Sequence, residues 1–375
     1  MRILKISLSV IALIVLVLII AIGSLFIFLD PNKLKPMITS EISRNTGYET
    51  LVDGNLSWSF YPILGVKLDK LQLREPGQPI AFLELNGLSI ATEFSQLLHG
   101  QSELQGRIYI ESIRLDKLHL QNAAIKLGWQ HHVLTMQPIK ASLYGGTLRG
   151  VVHARELSAT PKWDWDIAAS NLDLQPLLVD LLGKNSKVML VGTGDIRLAA
   201  NTAGREQRDL LTNLNGLCQF GINEGLVDGI DLNYLVTSAN ALVNHENLSS
   251  PETPFKTAFD RLSGLFKIKA GQAETDNLLL QSKAFTVTGQ GGIDLPLQSL
   301  DLKLQLKPLE RVKTQWLIPV LITGEIKAPS VRLDTLTLNT LITKEELDKL
   351  KEKAQDVIKT LPEKADKFIG KLLGE

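Results

Sequence analysis

The side chains able to do chemistry are few in this chain and poorly spaced for it. Its six histidines are His99, His119, His131, His132, His153 and His245. None belongs to a His-Glu-x-x-His run, where two imidazoles one helical turn apart share a zinc ion, and no Gly-x-Ser-x-Gly elbow presents a serine nucleophile. Adjacent histidines do occur in metal sites, but neighbours in a strand point to opposite faces, and His131-His132 falls at a predicted hairpin end. Asp164 and Asp166 alternate with Trp163 and Trp165, which sets two carboxylates on one strand face at a spacing that suits a divalent ion. A solvated polar face behind two buried or groove-lining tryptophans is the simpler account. Gly192-x-Gly194 follows the apolar run Val188 to Val191, yet Arg197 stands where a dinucleotide fingerprint needs its third glycine, so the segment reads as a turn. Cys218 is alone, which excludes an internal disulfide and a zinc site of several thiolates. The chain reads as a non-enzyme without cofactor or metal.

Composition narrows the alternatives. The 375 residues carry 40 Lys plus Arg against 40 Asp plus Glu, so the chain lacks the surplus cations of a nucleic-acid binder. With 44% apolar and 21% charged residues it has the makings of a folded core rather than a disordered chain.

The N-terminus is predicted to be a membrane anchor. From Ile6 to Leu29, including Leu8, Val15, Ile20 and Leu29, no residue is charged. At ~1.5 Å per residue this span makes a helix of roughly 36 Å, enough to cross a hydrocarbon core of ~30 Å. It exceeds the ~7–15 apolar residues of a cleavable signal, and Ala21-Ile22-Gly23-Ser24 is a poor cleavage site. Arg2 and Lys5 favour a cytoplasmic N-terminus, but Lys33, Lys35 and Arg44 follow the span, so basic residues alone leave the orientation open. Nothing after Asp30 is apolar for long enough to cross again, which predicts a single-pass protein.

The rest must be positioned mainly by strands. After a helical stretch over Pro31 to Thr46 the dominant period is two. Leu56, Trp58 and Phe60 alternate with Ser57 and Ser59; Leu300, Leu302, Leu304 and Leu306 alternate with Asp301, Lys303, Gln305 and Lys307. Such strands have one apolar and one polar face. Asp53-Gly54, Asn86-Gly87, Gly145-Gly146, Asn215-Gly216 and Asp228-Gly229 read as the turns of a long antiparallel meander. Short helices are expected over 94–99, 174–182, 232–243 and 255–262, and a polar loop over 205–213. Leu347, Leu350, Ala354, Val357, Leu361, Ala365, Phe368 and Leu372 mark an amphipathic C-terminal helix kinked near Pro362, which caps the sheet or meets a membrane or partner.

The pattern supplies roughly sixteen to twenty strands and few helices to cover their apolar faces. Either those faces meet inside a sandwich or barrel, or one long sheet curls into a trough open to an apolar ligand. Strand parity nominates Leu56, Trp58, Phe60, Trp163, Trp165, Phe285, Val287, Leu300, Leu302, Leu304 and Leu306 as the lining. Aliphatic residues dominate these faces and aromatics are only 6% of the chain, which suits acyl chains but also an ordinary core.

Several segments, in order, resemble the AsmA family. They are Asp30-Pro31, then Gly54-Asn55-Leu56-Ser57-Trp58-Ser59-Phe60-Tyr61-Pro62 with Leu64-Gly65, and Leu143-Tyr144-Gly145-Gly146-Thr147-Leu148-Arg149-Gly150. Leu214-Asn215-Gly216 and the run Asn223 to Leu232 follow, then Thr257-Ala258-Phe259, Leu262-Ser263-Gly264, Leu280-Gln281-Ser282 and Gly289-Gln290-Gly291 before Ile293-Asp294-Leu295. Each is a weak motif; their collinear order is the signal. The resemblance implies an inner-membrane protein of Gram-negative bacteria, N-terminus cytoplasmic and bulk periplasmic. It also implies kinship with chorein-type bridge-like lipid transfer proteins and their repeating β-groove, which favours the trough. Phospholipid acyl chains, the inner membrane and outer-membrane assembly proteins are the partners so implied, and outer-membrane biogenesis and envelope lipid homeostasis the role. The alternative is a scaffold or regulator of outer-membrane protein assembly that works through exposed strand edges.

The organisation expected is therefore an anchor over 1–29, an N-terminal β-groove region over 30–204, a C-terminal β region over 205–340 and the amphipathic helix over 341–375. The chain is shorter than the better-known members. Some eighteen strands at ~4.8 Å span roughly 85 Å at most, which is short for bridging two membranes unaided.

Overall fold

A computed structural model describes residues 30–59, 64–92, 104–157, 159–243, 247, 255–309 and 317–340. The anchor residues Leu8, Val15, Ile20 and Leu29, the lining candidate Phe60, the helix expected over 94–99 and the amphipathic segment from 341 lie outside them. Among the described residues no helix is long and apolar enough to cross a membrane.

A 3-10 turn, Pro31–Leu34, opens on Asp30, whose Oδ1 accepts from the Asn32 amide at 3.0 Å. It runs into helix α1, Lys35–Thr46, which ends at Gly47 in the left-handed conformation. Among the described residues sixteen strands follow, each antiparallel to its neighbour in strict chain order. They are β1 Glu49–Ser59, β2 Leu64–Arg74, β3 Leu83–Thr92, β4 Leu104–Leu115, β5 Leu118–Gln130, β6 Val133–Leu143, β7 Gly146–Arg155 and β8 Lys162–Asp173. Then come β9 Met189–Ala203, β10 Asn215–Asp228, β11 Lys256–Lys269, β12 Gln272–Gln281, β13 Phe285–Asp294, β14 Ser299–Pro308, β15 Ile318–Glu325 and β16 Ser330–Leu333. Helices α2 (Leu174–Leu182), α3 (Gln207–Thr212) and α4 (Leu232–Val243) interrupt the meander, and residues 335–340 are helical. The fold is mainly β, one open sheet with few short helices.

Four local readings are corrected. The segment 255–262 is not a helix but the start of β11, and 205–213 is not wholly a loop, because α3 forms there and buries Leu210. Asp53-Gly54 and Asn86-Gly87 are not hairpin turns: they lie inside β1 and β3, where Gly54 and Gly87 take φ of +74° and +62°. Gly192 and Gly194 likewise sit within β9.

These interior breaks shape the sheet. Between Asp53 and Leu56 the β1–β2 pairing shifts register. The buried positions then pass from Leu68 to Leu71 in β2 and from Leu85 to Leu88 in β3, so alternation skips a residue in neighbouring strands. A bulge of this kind bends a strand and increases its twist. The sheet therefore coils.

Its strand ends form two rims, the first carrying the starts of the odd-numbered strands and the second their ends. On the first rim, just before β9, the Lys187 amide donates to the Lys327 carbonyl of the β15–β16 turn on the second rim (3.4 Å), and Ser186 Oγ donates to the same oxygen (3.3 Å). Leu210, on the second rim after β9, is buried in one cluster with Leu34, Leu73 and Leu83 of the N-terminal part. Coiling lets opposite parts of a single-layer sheet cover one another, and Leu71, Leu73, Leu83, Leu306 and Ile318 are fully buried.

Candidate functional site: a coiled apolar face

The sheet's two faces differ sharply in chemistry. Across β5 to β11, the cross-strand partners Ile125, Ile139, Gly150, Ile167, Leu198, Cys218 and Phe266 form one continuous inward ladder. Every member is half-buried rather than sealed. Further along, Leu302, Ile322 and Val331 make a similar half-buried row on β14 to β16. On the opposite face Lys126, Lys140, Arg149, Gln219 and Lys267 point to solvent.

The lining candidates divide into two sets. Leu56, Trp163, Phe285, Val287, Leu304 and Leu306 are buried, at 7% exposure or less, inside the packed clusters. The Trp163 indole N–H points to the Gly204 carbonyl at 3.4 Å. Trp58, Trp165, Leu300 and Leu302 stay half-buried on the inner face. Trp165 Nε1 is buried with no hydrogen-bond partner, an orphan donor on that face. Periodicity had not singled out the ladder itself, although Ile167 shares the alternation of Trp163 and Trp165.

Part of the C-terminal half is roofed. Ala239 of α4 and Leu338, in the helical residues 335–340, are buried in one cluster with Phe259, Phe285, Leu306 and Ile318. At the first rim α2 is fastened by Tyr144, whose hydroxyl donates to Asp180 Oδ2 at 2.5 Å. Burial and then this carboxylate push the phenol pKa well up.

The carboxylates of the suspected ion site and two of the histidines are held in ordinary side-chain pairs. Asp166 receives Arg197 Nε and an NH2 group at 3.2 and 3.0 Å, and Asp164 pairs with Arg155, so both carboxylates of the suspected ion site face outward against arginines. His131 and His132 form the exposed β5–β6 turn, both with positive φ. His119 Nδ1 lies 3.3 Å from Asp180, and His153 Nδ1 lies 3.2 Å from Thr135 Oγ1. Burial pushes the Cys218 thiol pKa up, away from thiolate chemistry. Among the described residues no three His, Cys, Asp or Glu side chains are grouped to hold a metal.

The profile of the AsmA family matches residues 1–106 and 92–278, most of the chain. This chain belongs to the AsmA family. No curated protein and no solved structure matches it. The AsmA match ends within β12, and the sheet continues with unbroken pairing through β16. In this AsmA protein the segment Leu143 to Gly150 supplies the β6–β7 turn and the Tyr144 hydroxyl that fastens α2. The run Asn223 to Asp228 carries the break at Glu224, a residue with φ of +48°, and closes β10.

Proposed function

We propose that this protein is a membrane-tethered lipid-binding and transfer groove. The observation that carries the reading is the half-buried apolar ladder running unbroken across β5 to β11 of an AsmA-family sheet. Acyl chains would lie along it while headgroups stay wet. At ~0.8 kcal/mol per buried methylene a two-chain lipid is held too strongly for frequent release, so transport on this reading is sliding along uniform walls, without catalysis. The apolar span 6–29 would tether the groove to the inner membrane, with the sheet in the periplasm serving outer-membrane biogenesis and envelope lipid homeostasis. The sixteen described strands at ~4.8 Å give roughly 77 Å of sheet, and coiling shortens the path, so on this reading the lipid is handed to a partner rather than carried the whole way.

The scaffold reading, in which a strand edge pairs with a nascent outer-membrane protein, has one described edge to use: the four-residue β16. Mass spectrometry of lipid co-purifying with the full chain in detergent tests the main reading. Phospholipid in the wild type, lost in Leu302→Asp at unchanged melting temperature, is expected. A lipid-free wild type would overturn it.

A further inference from the structure

We propose that the cleft where the first rim of β1–β3 faces the second rim of β9–β14 binds the zwitterionic headgroup of a phospholipid. The inference rests on the groove reading and adds the chemistry of the ligand's polar end. The cleft has a volume of about 890 Å³ and takes its walls from separate parts of the chain. Tyr48 and Glu75 come from the first rim; Glu206, Arg208 and Leu211 from α3 and its N-cap, and Leu297 from the β13–β14 turn, come from the second.

Most of its charges are already engaged. Arg205 gives its Nε and one NH2 to the carbonyls of Leu157 and Ala159, which fixes the wall. Asp294 accepts from Gln272 Nε2 at 2.7 Å and from the Leu297 amide at 2.8 Å. Glu206 and Arg208 are different. Both are exposed, and neither takes part in an ion pair among the described residues. Two residues apart at the start of one short helix, they do not face each other and do not neutralise each other. The cleft therefore offers one cation and one anion at the same time.

That pairing matches a phosphate joined to an ammonium. Arg208 presents a planar guanidinium to phosphate oxygens. Glu206 attracts the ammonium, and the Tyr48 ring offers it a π face. A purely anionic headgroup would meet Glu206 with nothing to give it. The apolar side is in place as well: Leu297 is 75% exposed beside Pro296 in the cleft, while the adjacent Leu210 and Leu295 pack into the sheet's apolar clusters. A headgroup seated here has the exposed Leu297, with Pro296, beside it as apolar surface for the start of its tails.

The test is the headgroup composition of lipid co-purifying with the full chain from a membrane holding both phosphatidylethanolamine and phosphatidylglycerol. The wild type should be enriched in the zwitterionic lipid relative to that membrane. Glu206→Lys should lower the ratio of zwitterionic to anionic lipid at least threefold, whereas Arg208→Glu, which repels the phosphate that both headgroups carry, should not lower it. The double exchange Glu206→Lys with Arg208→Glu should recover most of the ratio, since a zwitterion can bind reversed. An unchanged ratio in Glu206→Lys, with lipid still bound, would overturn the headgroup site and leave the groove standing. Loss of all lipid from the wild type would remove both.

Discussion

The side chain of Asn32 holds the backbone of Leu56 at two points, its Oδ1 accepting from the Leu56 amide at 3.0 Å and its Nδ2 donating to the Leu56 carbonyl at 3.1 Å. A neighbouring strand would make the same pair of bonds. With Ser43 Oγ accepting from the Thr50 amide and Lys35 Nζ donating to the Gly54 carbonyl, the segment leading into the sheet closes the outer edge of β1. The apolar face thus begins at a covered edge, tied to the chain that follows the predicted anchor.

Asn32→Leu should remove both bonds and leave two backbone groups without partners, a cost of about 2 kcal/mol at ~1 kcal/mol each. Urea unfolding measures that loss. Size-exclusion chromatography should show self-association as the β1 edge is freed. A monomer of wild-type stability would contradict the edge-capping role.

A pH-dependent contribution comes from Glu84 on the outer face of β3. Burial raises its pKa, but hydrogen bonds from Gln72, Arg114, Asn86 and Lys70 outweigh this and bring it from the usual 4.5 to about 2. Because the folded value is depressed, the stabilisation is complete above pH 4.5 and is lost as the pH falls through about 2. Glu84→Gln should cost on the order of 1–2 kcal/mol at pH 7, with the gap to the wild type closing between those limits. A constant difference from pH 7 down to pH 2 would mean that the carboxylate charge is not the stabilising feature.

The apolar row on β14 separates binding from folding. Leu302 is half-buried and Leu306 fully buried, while Lys303 between them faces solvent. Leu306→Asp should unfold the C-terminal part by more than ~3 kcal/mol through an unpaired buried charge. Leu302→Asp should fold yet lose co-purifying lipid, and Lys303→Asp should change neither. Equal lipid loss at positions 302 and 303 would count against the groove.

Two glycines with the same φ of +74° distinguish backbone strain from crowding. At Gly47 a Cβ would have open space, so Gly47→Ala should cost only the left-handed penalty of about 1 kcal/mol. At Gly54 a Cβ would fall 2.5 Å from Asp69 Cβ, so Gly54→Ala should cost clearly more and straighten β1. Comparable melting temperatures for the two variants would mean that the break in β1 is not held by this close approach.

Some elements were legible because nothing disturbs their period. β14 pairs with β13 and β15 without a register shift, so the alternation Leu300, Leu302, Leu304, Leu306 translates directly into one face. The helices over 174–182 and 232–243 were equally plain. The segment 255–262 was not, because in β11 the inward positions pass from Phe259 to Leu262. A strand that skips one residue acquires the three-residue spacing of a helix. Asn86-Gly87 misled for a related reason: the left-handed glycine that makes a tight turn also makes a bulge within a strand.

By itself the sequence determined a mainly β chain with one apolar and one charged face, since side-chain direction in a strand follows from position along the chain alone. It did not determine which apolar residues are sealed and which stay accessible. Tertiary structure decided that, because coverage depends on how far each bulge bends the sheet. The bend brings Leu210 onto the N-terminal strands and Lys187 onto Lys327, contacts between rims that no local pattern records. The same coil seals Leu306 and leaves Leu302 open, although the two share a strand and a face.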